Sequence, residues 1–133
     1  MTDLIQVNTA DLTGAALDWM VAQVEAVPVA IAAPHYGTDW RVYKPDFGGK
    51  YSPSTDWAVG GPLIAKLQVA LIPEAHDGME GTEMSERWYA DVYYDGGEQY
   101  TTEHCDTALI AACRAIVATK FGDSIQVPRE LLP

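Results

Sequence analysis

The chain has 133 residues, 48% of them apolar and 10% aromatic, which is enough for one core and too little for two, so a single domain spanning 1–133 is expected. Eight Lys and Arg against 19 Asp and Glu give a formal net charge of −11, which excludes a general nucleic-acid binder, because neutralising backbone phosphates takes clustered cations. No window approaches roughly eighteen uninterrupted apolar residues and no basic-then-apolar leader opens the chain, so neither a membrane span nor secretion is expected.

The first predicted element is a helix in "LTGAALDWMVAQVEAV", capped near Thr13, with Leu12 placed to pack on Leu17 and a stripe of Ala16, Leu17, Met20, Val21 and Val24. Trp19, Ala15 and Ala22 lie on another side, so the helix is expected to be covered on more than one face, and Pro28 stops it. "VAIAAP" and "DWRVYK" read as short strands around a turn at His35-Tyr36-Gly37. In "YSPSTDWAVGGPLI", Ser52-Pro53 and then Gly61-Pro62 each fit a cap followed by a first-turn proline, which predicts a broken helix hinged at Gly60-Gly61 and running through "LIAKLQ".

"QVALIPE" reads as a strand and "AHDGMEGTEMSE" as an acidic surface loop. "RWYADVYY", a turn at Asp95-Gly96-Gly97 and "EQYTTEH" make a hairpin, with Trp88, Ala90, Val92 and Tyr94 on one face and Tyr89, Asp91 and Tyr93 on the other. "DTALIAACRAIVATKFG" is a helix capped by Asp106 or Thr107, with a stripe of Leu109, Ile110, Cys113, Ile116 and Val117 and with Gly122 past its end. The tail "DSIQVPRELLP" is expected to be extended, with Ile125 and Val127 packing back on the domain.

This order predicts an α+β fold: an antiparallel sheet of about three to five strands, N- and C-terminal helices packed on one face, and a short helical turn between. It loosely resembles the order in double-stranded-RNA-binding domains, but their basic surface is missing. Cys105 and Cys113, read as eight apart in one helix, would have backbones ~12 Å apart, beyond disulfide reach, which fits a reducing cytoplasm.

Charge is unevenly spread. From Glu74 to Asp106 there are ten carboxylates (Glu74, Asp77, Glu80, Glu83, Glu86, Asp91, Asp95, Glu98, Glu103, Asp106) against Arg87 alone. From Trp40 to Lys66 the balance reverses, with Arg41, Lys44, Lys50 and Lys66 against Asp46 and Asp56. The cationic stretch is also rich in Gly and aromatics, a composition suited to stacking pockets and binding hot spots.

Within it, "YGTDW" (36–40) is echoed by "YSPSTDW" (51–57). The candidate ligand-binding residues are therefore Tyr36, Asp39, Trp40, Tyr51, Asp56 and Trp57, with the indoles as stacking walls and the carboxylates as acceptors. Gly60 and Gly61 join them as places where backbone could approach a ligand, and amides after Pro62 could face an anion beside Lys50 and Lys66. The plainer alternative is that Thr and Asp cap turns while each Trp anchors its own loop.

No zinc spacing occurs: Glu103-His104-Cys105-Asp106 is contiguous, His35 and His76 stand apart, and no metal or cofactor is expected. Walker, G-x-G-x-x-G, H-E-x-x-H and nucleophile-elbow patterns are absent, so no catalytic residue is assigned and the chain reads as a binding protein before an enzyme.

"LTGAALDWMVA", "YSPSTDWAVGGPLI" and "ACRAIVATKFGDSIQVPREL" resemble, in that order, motifs of the NinX-like family of small bacteriophage and prophage proteins, over about Leu12 to Leu131. The resemblance implies a phage protein at work in the bacterial host cytoplasm and supplies no catalytic residues. The expected function is an accessory protein whose 35–62 surface binds a small anionic or nucleotide-like ligand or a host protein. Two alternatives stay open: an acidic surface engaging a basic host factor, and a small hydrolase or nucleotide-modifying enzyme using Asp39 or Asp56.

Overall fold

The computed structural model describes residues 3–37, 39–46, 49–75, 84–94 and 96–132. The elements are β1 (Leu4–Asn8), α1 (Gly14–Glu25), β2 (Ala30–Ala32), β3 (Arg41–Tyr43), α2 (Trp57–Leu67), β4 (Ala70–Ala75), β5 (Met84–Tyr94), β6 (Glu98–Thr101), α3 (Ala108–Phe121) and β7 (Ser124–Pro128), with 3₁₀ turns at Thr9–Asp11 and Arg129–Leu131. The fold is α+β, as the sequence predicts. Among the described residues all strand pairing is antiparallel, in three sheets: β1-β7, β2-β3 and β4-β5-β6.

Helix α3 is the centre. Thr107, not Asp106, caps it, accepting from the Ile110 amide at 3.1 Å. It is buried almost all round. One side carries Ala111, Ala112, Ala115 and Ile116 against Ala90 and Val92 of β5, small residues that let helix and sheet approach closely. The opposite side carries Cys113 and Val117 into a second cluster with Leu17, Met20 and Val21 of α1. The two terminal helices therefore do not share one sheet face: α3 covers β4-β5-β6, and α1 forms a layer behind α3 that also touches β3 and β7.

Leu12 and Leu17 are buried in one cluster, as the staple at the start of α1 predicts, and α1 ends at Ala26 in the left-handed region, with Val27 N–H donating to Ala22 O at 2.9 Å. The hairpin faces are as read: Ala90 and Val92 are buried, with Trp88 and Tyr94 packed beside them, while Tyr93 is exposed. The tail is a strand, and its partner β1 is an element the sequence reading lacked. Identical tripeptides pair, Ile5-Gln6-Val7 against Val127-Gln126-Ile125.

Two local expectations fail. Helix α2 is not hinged at Gly60-Gly61: it starts at Asp56, which accepts from the Ala58 amide at 2.9 Å, and runs through Pro62 to Leu67. Ser52-Pro53 instead opens a turn in which the Thr55 and Asp56 amides both donate to Ser52 O. Gly60 is needed for packing, because a Cβ there would stand 2.4 Å from Pro53 O and 2.8 Å from Leu109 Cδ2. Cys105 is not in a helix either; it pairs in a β-bridge with Trp88, and both thiols are free and buried. The acidic loop expected over 75–86 falls largely on residues 76–83, so its His76, Asp77, Glu80 and Glu83 lie outside the described residues, as do Phe47 and Asp95.

Candidate functional site: a recess at the start of helix α1

β2 and β3 pair through Ala30–Tyr43, Ile31–Val42 and Ala32–Arg41, which fixes the direction in which residues 39–41 leave the hairpin. The chain then doubles back: Lys44 N–H donates to Gly49 O and Tyr51 N–H to Val42 O, both at 2.9 Å, so Lys50 lies beside Tyr43 in a single antiparallel β-bridge. Tyr51 is 4% exposed and packs in the core under the Lys44 ammonium, 5.6 Å from its ring centroid, and burial pushes its phenol up to about 12.

These strands face the first turn of α1 across a recess of about 430 Å³, whose walls include Gly14, Ala15, Asp18, Asp39, Trp40, Arg41 and Lys50. Trp40 is 36% exposed and is shared with a second hollow of about 340 Å³, where Thr13, Glu130 and Leu132 form the far side. Trp40 thus borders both hollows, together with Gly14, Ala15 and Asp39. A Cβ at Gly14 would meet nothing within 4 Å, so α1 opens onto free space there.

The electrostatics are mixed. Asp18 is buried, and its Oδ1 accepts from the Ser54 amide at 2.8 Å, which pins the 52–55 turn onto α1. Burial raises its carboxyl above the ordinary range, offset in part by Ser54 and by the charge of Lys50. Thr13 sits at the N-cap with extended backbone, but its hydroxyl makes no capping bond, and the first turn of α1 holds no acidic residue. The first turn of α1 thus places no negative side chain of its own at the positive end of the helix. Asp18 lies four residues after Gly14 and three after Ala15, one stacked row of the same helix face.

Of the eight sequence-selected residues, Asp39 and Trp40 line this recess and the other six do not. Tyr36 is 94% exposed beside His35, with ring centroids 4.1 Å apart. Tyr51 is core, and Asp56 caps α2. Trp57, 56% exposed, walls a separate hollow of about 250 Å³ against Ile110 of α3 and its cap Thr107. Gly60 packs on Pro53 and Leu109, and a Cβ at Gly61 would meet the Trp57 ring at 4.0 Å. The anion site expected after Pro62 is not formed, since Pro62 lies inside α2 and Lys66 is 2.7 Å from Glu25 instead.

Sequence reasoning missed Asp18. Its signal was a carboxylate on the inward row of an apolar helix, in "LDWM", where an unpaired charge is costly.

Among the described residues no group of His, Cys, Asp and Glu is placed to hold a metal ion, and no helix is long and apolar enough to cross a membrane. What fold and recess define is a small α+β protein with an open, mixed-charge hollow walled by a tryptophan. The family model described as "Bacteriophage P22, NinX" matches residues 8–120, and the chain belongs to that family of phage proteins. No curated protein matches the chain.

Proposed function

We propose that this phage accessory protein is a binding protein, working in the host cytoplasm, that takes a small nucleotide-like anion in the recess between α1 and β3. The observation that carries the reading is the meeting of three features in one hollow: an α1 N-terminus without a side-chain cap, the Lys50 ammonium and the open Trp40 ring. Backbone N–H groups and a lysine suit a phosphate or carboxylate, and an indole face suits a base or other flat ring. Asp39 on the same wall can accept from ring N–H groups, which a purely cationic hollow could not.

A hydrolytic role for Asp56 finds less support, because that carboxylate is engaged in capping α2. The test is a thermal-shift panel of nucleotides and sugar phosphates, with native mass spectrometry of freshly purified protein. A ligand at ~100 times its dissociation constant stabilises the fold by ~2.7 kcal/mol. The expected result is a shift from at least one phosphate-bearing ring compound that is lost in Lys50→Ala and Trp40→Ala. A panel with no shift, and a native mass equal to the bare chain, overturns the reading.

A further inference from the structure

The three-stranded sheet treats its two faces differently. Its inner face supplies Leu71, Trp88, Ala90, Val92, Tyr94 and Tyr100 to the cluster against α3. The register places the remaining residues side by side on the outer face: Ala70, Asp91 and Thr101 across one row, Ile72 beside Tyr89, and Tyr93 beside Gln99. Tyr93 is 68% exposed, and Ala70, Gln99 and Thr101 are exposed with it.

This face has ordered side chains. Tyr89 meets His104 edge-on, with ring centroids 5.2 Å apart, and His104 Nδ1 lies 3.3 Å from Glu74 Oε1. Ser85 donates to Glu74 Oε2 at 2.9 Å, and the Thr101 hydroxyl donates to Asp91. The Asp91 carboxylate therefore stands between the Tyr89 and Tyr93 positions of β5, and the Glu74 carboxylate is held at the His104 side of Tyr89. In sequence the stretch from Glu74 to Asp106 is strongly acidic, with Arg87 its one Lys or Arg, and the Arg87 guanidinium donates to His104 O at 2.7 Å.

The geometry points to a docking face for an arginine- and lysine-rich protein segment. Guanidinium groups lie flat on tyrosine rings while their N–H forks reach carboxylates, and tyrosine beside an acid offers both partners at once. Charge complementarity selects this occupant. A second copy of a chain carrying −11 would bring like charge to the contact, and a nucleic acid would bring phosphates. The proposal is independent of the α1 recess.

The test is an amide NMR titration of the intact protein with an Arg-Gly decapeptide, with a Glu-Gly decapeptide as control, together with sedimentation of the protein alone. Shifts are expected to concentrate at 70–72, 89–93 and 99–101, and to weaken as salt rises. Affinity is expected to fall about tenfold in Tyr93→Ala and in Asp91→Asn. Trp40→Ala leaves it unchanged. Because Tyr93 projects into solvent, its removal leaves the fold intact, so a loss of binding reports on the face itself. The proposal is overturned by absence of binding, by shifts that follow every carboxylate equally and ignore Tyr93→Ala, or by a concentration-dependent dimer formed through this face.

Discussion

The two Thr-Asp-Trp stretches differ by what lies next to them. At 55–57 the tripeptide opens a helix: Asp56 caps α2, Trp57 is its first residue, and the ring lies over a shallow hollow beside α3. At 39–40 the same Asp-Trp leads into the short strand β3, so no helix draws on the carboxylate, and Trp40 borders two hollows at the start of α1. One stretch serves the fold; the other is where we propose that a ligand binds. A tripeptide carries its chemistry; the following five residues decide what that chemistry is used for.

Mutations can break this contrast or sharpen it. The largest expected effect is on the structural side. Gly60→Ala places a methyl 2.4 Å from a backbone carbonyl, and α2 must shift, at a cost of about 1–3 kcal/mol in urea unfolding that exceeds the helix-propensity gain of alanine. Asp18→Ala comes next, because it leaves the Ser54 amide without its acceptor and loosens the turn below the recess; about 1–3 kcal/mol is expected, together with loss of ligand binding.

The carboxyl of Asp18 also sets a pH dependence. Its folded value is raised above the ordinary 3.8, so between the two values the unfolded chain gives up the proton while the folded chain keeps it. Stability from this group is complete below 3.8 and declines as pH rises through the raised value. Asp18→Asn removes the titration, so the stability of wild type relative to this variant falls with rising pH across that window. Urea midpoints taken in steps from acid to neutral pH measure it.

Smaller effects separate the two tryptophans. Asp56→Ala removes a cap and costs ~1 kcal/mol, recovered by Asp56→Asn, with ligand affinity unchanged. Trp57→Ala, at a half-exposed position, shifts stability by about 0.5 kcal/mol or less and leaves ligand binding intact, whereas Trp40→Ala abolishes binding.

How much of this was legible in sequence follows from how local each feature is. Helices α1 and α3 and the β5-β6 hairpin announce themselves within a dozen residues, through apolar period, a capping hydroxyl and a Gly-Gly turn. The pairing of β1 with β7 does not, because Ile5-Gln6-Val7 finds its partner across almost the entire chain. Pro62 misled because proline is suited to a helix start, yet α2 tolerates it in its second turn. The recess was half legible. Asp39 and Trp40 stood out as an aromatic and acidic pair, but the wall opposite is α1, and Asp18 joins it only because a turn more than thirty residues later folds onto that helix.

The central claim is that Trp40 meets a ligand and Trp57 does not. The chain has four tryptophans, so its indole N–H resonances are few enough to assign one by one and follow during titration with the compound that gives the largest thermal shift. The Trp40 resonance is expected to move with saturation while that of Trp57 stays in place. Movement of Trp57 with Trp40 unmoved would contradict it.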